Sequence, residues 1–199
     1  MADCGAGPNQ PDVPLRLDCP LSAEAVRGLH AGQAVRLFGE LLMARDAAHA
    51  RLVAALEAGE PLPVALDGAL LYYCGPTPGR PPRPVGAAGP TTSSRMDSYA
   101  PTLYAAGVRA TLGKGERSPE VREACRRHET VYLVAVGGAG ALLGQCLREA
   151  EVIAYPELGP EALRRVRVED FPAWVAYDAQ GNSIFPGEGP LAPEAGGPA

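Results

Sequence analysis

Short apolar segments typical of strands alternate with segments typical of helices along most of this chain. Strand patterns lie at 33–44, 69–73, 108–112, 131–136 and 151–155. Helix patterns lie at 22–28, 45–59, 92–106 and 118–128, with another ending at Arg148 and a helical turn at 159–165. A hairpin is predicted over 173–185, with its turn at 178–182. Such alternation is typical of one α/β domain with a mixed sheet, because helices connect parallel strands.

The length and the distribution of glycine and proline set the domain boundaries. The 199 residues suffice for one domain of ordinary size. Glycine (24) and proline (21) concentrate in the first 20 residues, in 75–90 and after 186. We therefore expect a flexible lead at 1–14, a domain over 15–186 and a disordered tail at 187–199.

Charge and hydropathy exclude several classes of protein. A net charge of −5 argues against a nucleic-acid partner bound through general attraction to phosphate. No apolar run reaches the length that spans a membrane, and the N-terminus lacks the basic and apolar pattern of a signal peptide. We expect a cytoplasmic protein with neither a nucleic-acid nor a membrane partner.

Cysteine and histidine spacing does not indicate a metal site. The five cysteines stand at 4, 19, 74, 125 and 146, and no two form a C-x-x-C pair. His30, His49 and His128 are far apart and show no ligand spacing. We expect reduced cysteines, no metal held by this chain, and a hydrogen-bonded structural role for His49.

Cations and hydroxyls follow the ends of three predicted strands. Arg45 comes after the first, the segment GPTTSSRMDSY (89–99) after the second, and Lys114, between two glycines, after the third. In open α/β sheets, ligands bind at this edge. Arg45, Arg95 and Lys114 could meet there with the hydroxyls of residues 91–94, and together they suit a small di- or tricarboxylate.

Each of these residues also has a purely structural interpretation. Asp46 could be the N-cap of the helix at 45–59, with Arg45 on the surface, and Ser93 or Ser94 could cap the next helix. Lys114 could be an exposed turn lysine. A basic residue is unfavourable in a first helical turn, which favours a functional role for Arg95.

Seven segments together resemble one known family. They are ARDAAH (44–49), YYCGPTPG (72–79), GPTTSSRMDSY, LGKG (112–115), VAVGGAGAL (134–142), PELGPEAL (156–163) and VEDFPAWVAYDAQGN (168–182). Their order and spacing over 15–186 resemble the C-terminal domain, or β subunit, of the iron–sulfur class I fumarases and L-tartrate dehydratases.

The resemblance implies a fold, a partner and a set of site residues. It implies a swivelling β/β/α domain and an α partner that holds a [4Fe-4S] cluster. It also implies that Arg45, Thr91, Arg95 and Lys114 contact the substrate. Thr91 becomes the candidate base, with donation of a hydrogen bond to the substrate as its alternative role.

The expected function is therefore that of one part of a hydro-lyase. We expect the β subunit of a two-subunit fumarate hydratase of the citric acid cycle, which hydrates fumarate to (S)-malate and is inactive without its partner. Its assembly is expected to be an α/β hetero-oligomer or a homodimer of this chain. The alternatives are an L-tartrate dehydratase β subunit and a non-catalytic anion-binding module of the same fold.

Overall fold

Seven strands form one mixed sheet in the computed structural model, which describes residues 13–189. The strands are β1 (Leu15–Cys19), β2 (Ala34–Met43), β3 (Leu70–Tyr72), β4 (Ala110–Gly113), β5 (Val131–Val134), β6 (Leu147–Ala154) and β7 (Leu163–Tyr177). The described part of the chain is thus a mixed α/β domain, as predicted. The predicted flexible segments at 1–14 and 187–199 lie largely outside the described residues.

The sheet is parallel on one side and antiparallel on the other. Its order is β1-β2-β3-β4-β5-β7-β6, and β1 to β5 are parallel to their neighbours. The long strand β7 runs antiparallel to β5, to β6 and to β2. Since β2 pairs with both β3 and β7, strands β2, β3, β4, β5 and β7 form a closed ring of pairings.

Five helices connect or flank the strands within the described residues. They are α1 (Ala23–Arg27), α2 (Asp46–Glu57), α3 (Ala100–Ala105), α4 (Pro119–Arg127) and α5 (Gly140–Gln145). Two 3₁₀ segments lie at Ser93–Met96 and Pro156–Glu161. Among residues 13–189, no helix has the length and apolar composition needed to cross a bilayer.

Alternation along the central strands divides the core into two layers. In β3, Leu70 and Tyr72 belong to one buried cluster, whereas Leu71 belongs to a second cluster shared with α2, α3 and α4. Successive strand residues point to opposite faces of a sheet, so a continuous apolar run serves both layers. The sheet is therefore buried on both faces here, and its strand ends hold the loops in place.

The predicted helix at 92–106 is interrupted. The chain forms a 3₁₀ segment at Ser93–Met96, and α3 begins at Ala100 with Pro101 in its first turn. A proline has no amide hydrogen and clashes with the carbonyl four residues before it, so one helix cannot run through Pro101. The hydroxyl-rich segment is consequently a tight turn rather than a long helix.

Two predictions near the C-terminus were wrong at their boundaries. Helix α5 ends at Gln145 instead of Arg148, because residues from Leu147 onward pair with β7. The helical turn predicted at 159–165 lies earlier, at Pro156–Glu161, and Leu163 already belongs to β7. The predicted turn at 178–182 is present, with the Asp178 carboxylate accepting the amide hydrogens of Gln180 and Asn182. Its second arm makes only the bridge between Tyr177 and Ser183.

Candidate functional site

The three predicted loops lie at one edge of the sheet. Arg45 follows β2 and Lys114 follows β4. The Thr91 amide donates a 2.7 Å hydrogen bond to the carbonyl of Tyr73, the residue after β3. Strands β2, β3 and β4 are parallel neighbours, so their carboxyl ends meet at the same edge. The fold thus brings the loops of all four candidate residues to this edge.

The hydroxyl-rich turn and the lysine loop are joined by backbone hydrogen bonds. The Lys114 amide lies 3.3 Å from the Thr91 carbonyl oxygen and 3.0 Å from Ser93 Oγ, and the Ser93 amide donates to the Lys114 carbonyl at 2.9 Å. A β carbon on Gly113 would lie 2.0 Å from Ser93 Oγ, so only glycine fits. The close approach of the two loops therefore occurs at Gly113, while open space surrounds the corresponding position of Gly115.

Ser93 has a structural role and is not a helix cap. Its side chain is buried, and its hydroxyl lies 2.9 Å from Tyr132 Oη in addition to accepting the Lys114 amide. The N-cap of the 3₁₀ segment is Thr92, which makes no side-chain capping bond. The prediction that Ser93 or Ser94 caps the next helix was wrong, because both serines lie inside the 3₁₀ segment and the N-cap of α3 is Tyr99. Thr91 is half-buried, and Thr92 and Ser94 are exposed.

Asp46 connects the two arginines of the site. The prediction that Asp46 is an N-cap was wrong, because Arg45 occupies that position and Asp46 is the first residue of α2. The Arg95 Nε donates to Asp46 Oδ1 at 2.8 Å, and Asp46 Oδ2 lies 3.7 Å from Arg45 Nε. Both Asp46 Oδ2 and Arg45 Nε are buried without a hydrogen-bond partner in the described part of the chain. One carboxylate therefore orients Arg95 and lies beside Arg45.

A second carboxylate, missed by the sequence analysis, reaches the same helix start. Glu161 Oε2 accepts the Ala47 amide hydrogen at 3.0 Å, and Glu161 Oε1 lies 3.5 Å from Arg45 Nη2. Its segment PELGPEAL was noted in the sequence, but nothing in that segment indicates a contact with a helix more than a hundred residues earlier. Only the tertiary structure identifies Glu161 as part of the site.

The three cations of the site differ in exposure and pairing. The Arg45 side chain is 21% exposed and the Arg95 side chain 51%. Lys114 is half-buried, its stem beside Gly137, and its ammonium forms no ion pair with any residue between 13 and 189. Asp46 and Glu161 offset the charges of the two arginines, so Lys114 contributes the uncompensated charge at this edge.

A largely buried ion pair joins the hydroxyl-rich turn to the loop after β4. The Arg117 side chain is 0% exposed, and its Nε donates to Asp97 Oδ1 at 2.5 Å. The other Asp97 oxygen accepts the Ser118 amide at 2.7 Å. The Arg117 guanidinium also lies 5.3 Å from the ring centre of Tyr73 and 5.0 Å from that of Tyr132. This buried cation stabilises the site without being available to a ligand.

His49 is a neutral, buried residue below Arg45. Its Nδ1 lies 2.9 Å from the Arg45 carbonyl oxygen, so Nδ1 carries the hydrogen and donates it. Burial lowers the pKa of His49 to about 4, and the hydrogen bond to Arg45 only partly opposes this effect. The structural interpretation from the sequence agrees with these contacts.

The described cysteines do not fit an iron–sulfur cluster. Cluster ligands are thiolates. Burial raises the pKa of the Cys19, Cys74 and Cys125 thiols to about 12, and it also raises the pKa of the half-buried Cys146 thiol. Within residues 13–189, no group of three or more histidine, cysteine or acidic side chains is placed to hold a metal ion. A cluster would have to be held outside this part of the chain.

An open groove borders the site. It has a volume of about 580 Å³ and runs between the hydroxyl-rich turn and the loop after β4, with Thr92, Ser94 and Gly115 among its lining residues. Arg45, Thr91, Arg95 and Lys114 do not line it.

Comparison with known proteins identifies related sequences. The family model described as "Fumarase C-terminus" matches residues 5–187. The chain is 42% identical to the anaerobic class I fumarate hydratase of Escherichia coli K12 over 151 residues, which are 75% of this chain and 28% of that protein. It is 40% identical to fumarate hydratase 2 of Leishmania major over 156 residues, 77% of this chain and 28% of that protein.

A shorter relative matches over most of its own length. A Methanocaldococcus jannaschii protein named as an L(+)-tartrate dehydratase subunit beta is 34% identical over 175 residues, 83% of this chain and 88% of that protein. The chain thus spans 28% of the two fumarate hydratases above but nearly all of this subunit.

Proposed function

Because the chain belongs to the fumarase C-terminus family, we propose that it is the β part of a two-part hydro-lyase that interconverts fumarate and (S)-malate. The observation that carries this proposal is the convergence of Arg45, Thr91, Arg95 and Lys114 at one edge of the sheet. Guanidinium groups bind carboxylates through paired hydrogen bonds, and an ammonium adds a point charge. Three cations around a hydroxyl suit a small dicarboxylate.

The cations are proposed to act mainly on the transition state. Removing or adding a proton at the carbon next to a carboxylate passes through a species with additional negative charge on that carboxylate. Cations held in place before the reaction stabilise this species more than the substrate itself. Asp46 and the backbone of Ser93 hold Arg95 and Lys114 in position, so little reorganisation is needed when the charge develops.

Thr91 is proposed to contact the substrate through its hydroxyl. Its amide and carbonyl are engaged with Tyr73 and Lys114, whereas its hydroxyl makes no hydrogen bond to another residue between 13 and 189. A free threonine hydroxyl is a weak base, so a role in proton removal requires neighbouring cations to stabilise the alkoxide. Donation of a hydrogen bond to a substrate carboxylate is the alternative role for the same group.

We propose that a separate α partner completes the enzyme and carries the [4Fe-4S] cluster. The fumarate hydratases above are longer than the matched region, and the matching tartrate dehydratase protein is named as a subunit. Cys19, Cys74 and Cys125 have buried thiols, and no three cysteines lie together within residues 13–189 to hold a cluster. The partner is proposed to dock over the edge with Arg45, Arg95 and Lys114. Val136, just after β5, and Leu142, in α5, are 53% and 67% exposed and are proposed to offer apolar contacts to this partner.

A tartrate dehydratase β subunit is the second candidate function. The similarity to the Methanocaldococcus jannaschii protein over 88% of its length favours it. Its substrate is also a four-carbon dicarboxylate, so the same cations serve both reactions. Cytoplasmic location and a role in the citric acid cycle remain predictions.

Reconstitution of the two-part enzyme tests the proposed function. The chain is co-expressed anaerobically with an α-type partner, and the complex is assayed with fumarate, mesaconate and L-tartrate. We expect hydratase activity from the complex, preferentially with fumarate, and only weak dicarboxylate binding from the chain alone. Turnover by the purified chain without iron or a partner would refute the two-part arrangement. Preference for L-tartrate would support the tartrate dehydratase β subunit instead. A complex that is inactive on all three substrates would favour a non-catalytic module.

A further inference from the structure

Glu161 contacts both the start of α2 and the side chain that precedes it. The residue ends the 3₁₀ segment Pro156–Glu161, far along the chain from α2. One of its carboxylate oxygens accepts the Ala47 amide hydrogen at 3.0 Å, while the other lies 3.5 Å from Arg45 Nη2. A single carboxylate thus satisfies a free amide of the first helical turn and faces the Arg45 guanidinium.

The Arg45 guanidinium depends on its surroundings for its orientation. Arg45 is the N-cap of α2 but makes no side-chain capping bond, and its Nε has no hydrogen-bond partner in the described part of the chain. On its other side, a β carbon on Gly75 would lie 3.1 Å from Arg45 Nη1 and 3.2 Å from the Pro160 carbonyl oxygen. The guanidinium therefore lies in a slot between the Gly75 loop and the segment that ends in Glu161.

We propose that Glu161 is a positioning residue, which holds the Arg45 guanidinium in the orientation that binds a substrate carboxylate. This inference rests on the proposed function, in which Arg45 contacts the substrate. Glu161 acts through Arg45, since its two oxygens are already directed at Ala47 and Arg45. A paired contact with a carboxylate requires a fixed guanidinium plane, so a freely rotating Arg45 would lose it.

The charge of Glu161 has two opposing effects that kinetics can separate. Removing the Glu161 charge makes the net charge around Arg45 more positive, which does not weaken the general attraction of a dianionic substrate. It also frees the guanidinium, which weakens the oriented contact that matters as charge develops in the reaction. Loss of orientation should therefore lower kcat while KM stays unchanged or falls.

The substitution Glu161→Gln tests this role. The glutamine oxygen can still accept the Ala47 amide hydrogen, but the charge facing Arg45 is lost. In the assembled enzyme we expect kcat to fall about 10- to 100-fold with no rise in KM. The matched control is Glu157→Gln, on the same segment, where Glu157 pairs with the exposed Arg51 at 3.4 Å. Glu157→Gln should keep wild-type kcat and KM.

Nuclear magnetic resonance gives a readout that is independent of turnover. The Arg45 Nε–H signal of the ¹⁵N-labelled chain is assigned by its absence in Arg45→Lys. In the wild type and in Glu157→Gln it should have the high heteronuclear NOE of a rigid group. In Glu161→Gln the NOE should fall. An equally rigid Arg45, or an unchanged kcat in an active complex, would overturn the positioning role alone. A wild-type complex without activity would instead overturn the proposed function, on which the substrate part of the inference rests.

Discussion

Loss of the Asp97 charge should lower the free energy of unfolding more than loss of an exposed ion pair does. Asp97 is the ion-pair partner of Arg117 within residues 13–189, and the Arg117 side chain is fully buried. The substitution Asp97→Asn keeps the shape and an oxygen that can accept hydrogen bonds. It removes the charge that compensates a buried guanidinium, which can neither reach water nor readily lose its proton.

The structure sets the magnitude of this effect. Breaking a buried ion pair by removing one partner costs about 3–5 kcal/mol in the free energy of unfolding. Asparagine keeps one oxygen, which can accept from Arg117 or from Ser118 but not from both. Because the Asp97 side chain is 16% exposed and water partly screens the pair, we expect the lower end, about 3 kcal/mol. For a domain of this size, about 2–4 °C of Tm corresponds to each kcal/mol, so Tm should fall by about 6–12 °C.

Denaturant unfolding and scanning calorimetry measure the difference. The matched control is Asp18→Asn, which breaks the 2.6 Å pair between Asp18 and Arg16 on β1, where both side chains are more than 60% exposed. Water and salt screen an exposed pair, so it contributes little to stability and this control should stay near the wild-type Tm. Equal losses from Asp97→Asn and Asp18→Asn would refute the reasoning, because burial would then not decide the contribution of the pair.

Three further predictions concern individual residues. Arg95→Lys keeps the charge but loses the paired contact, so kcat/KM of the assembled enzyme should fall by an amount that corresponds to about 2–4 kcal/mol of transition-state stabilisation. The control Arg148→Lys, at a similarly exposed arginine whose Nε also binds a carboxylate, should keep wild-type kinetics. Cys74→Ser should leave the iron content and visible spectrum of the complex unchanged, because the Cys74 thiol is buried with a pKa of about 12. Loss of the cluster from this variant would contradict the assignment of the cluster ligands to the partner. His49 has a folded pKa of about 4 against an ordinary value of 6.5, so the unfolded chain binds the extra proton first and the free energy of unfolding should fall as pH drops from 6.5 to 4. His49→Gln should flatten that part of the pH profile, and an unchanged profile would mean that His49 is not the group responsible.

Periodicity and breaker residues were sufficient to predict most elements, because these signals act between near neighbours in the chain. The apolar segment at 33–44 and the helix pattern at 45–59 correspond closely to β2 and α2. The break in the helix predicted at 92–106 could also have been predicted from the sequence, because Pro101 cannot lie in the interior of a helix. The loops with Arg45, Thr91, Arg95 and Lys114 were identified from strand ends alone, and their roles in binding remain predictions.

Local periodicity was enough to predict the α/β character, most of the apolar strands and the positions of the polar loops between them. Strand neighbours, and therefore the loops that share an edge, became known only from the folded domain. The tertiary structure also decided that Leu147 begins a strand, that Ser93 faces the core, and that Glu161 reaches Arg45. The physical reason is that strand pairing and ion pairs between distant segments depend on groups supplied by another part of the chain, which local periodicity does not encode.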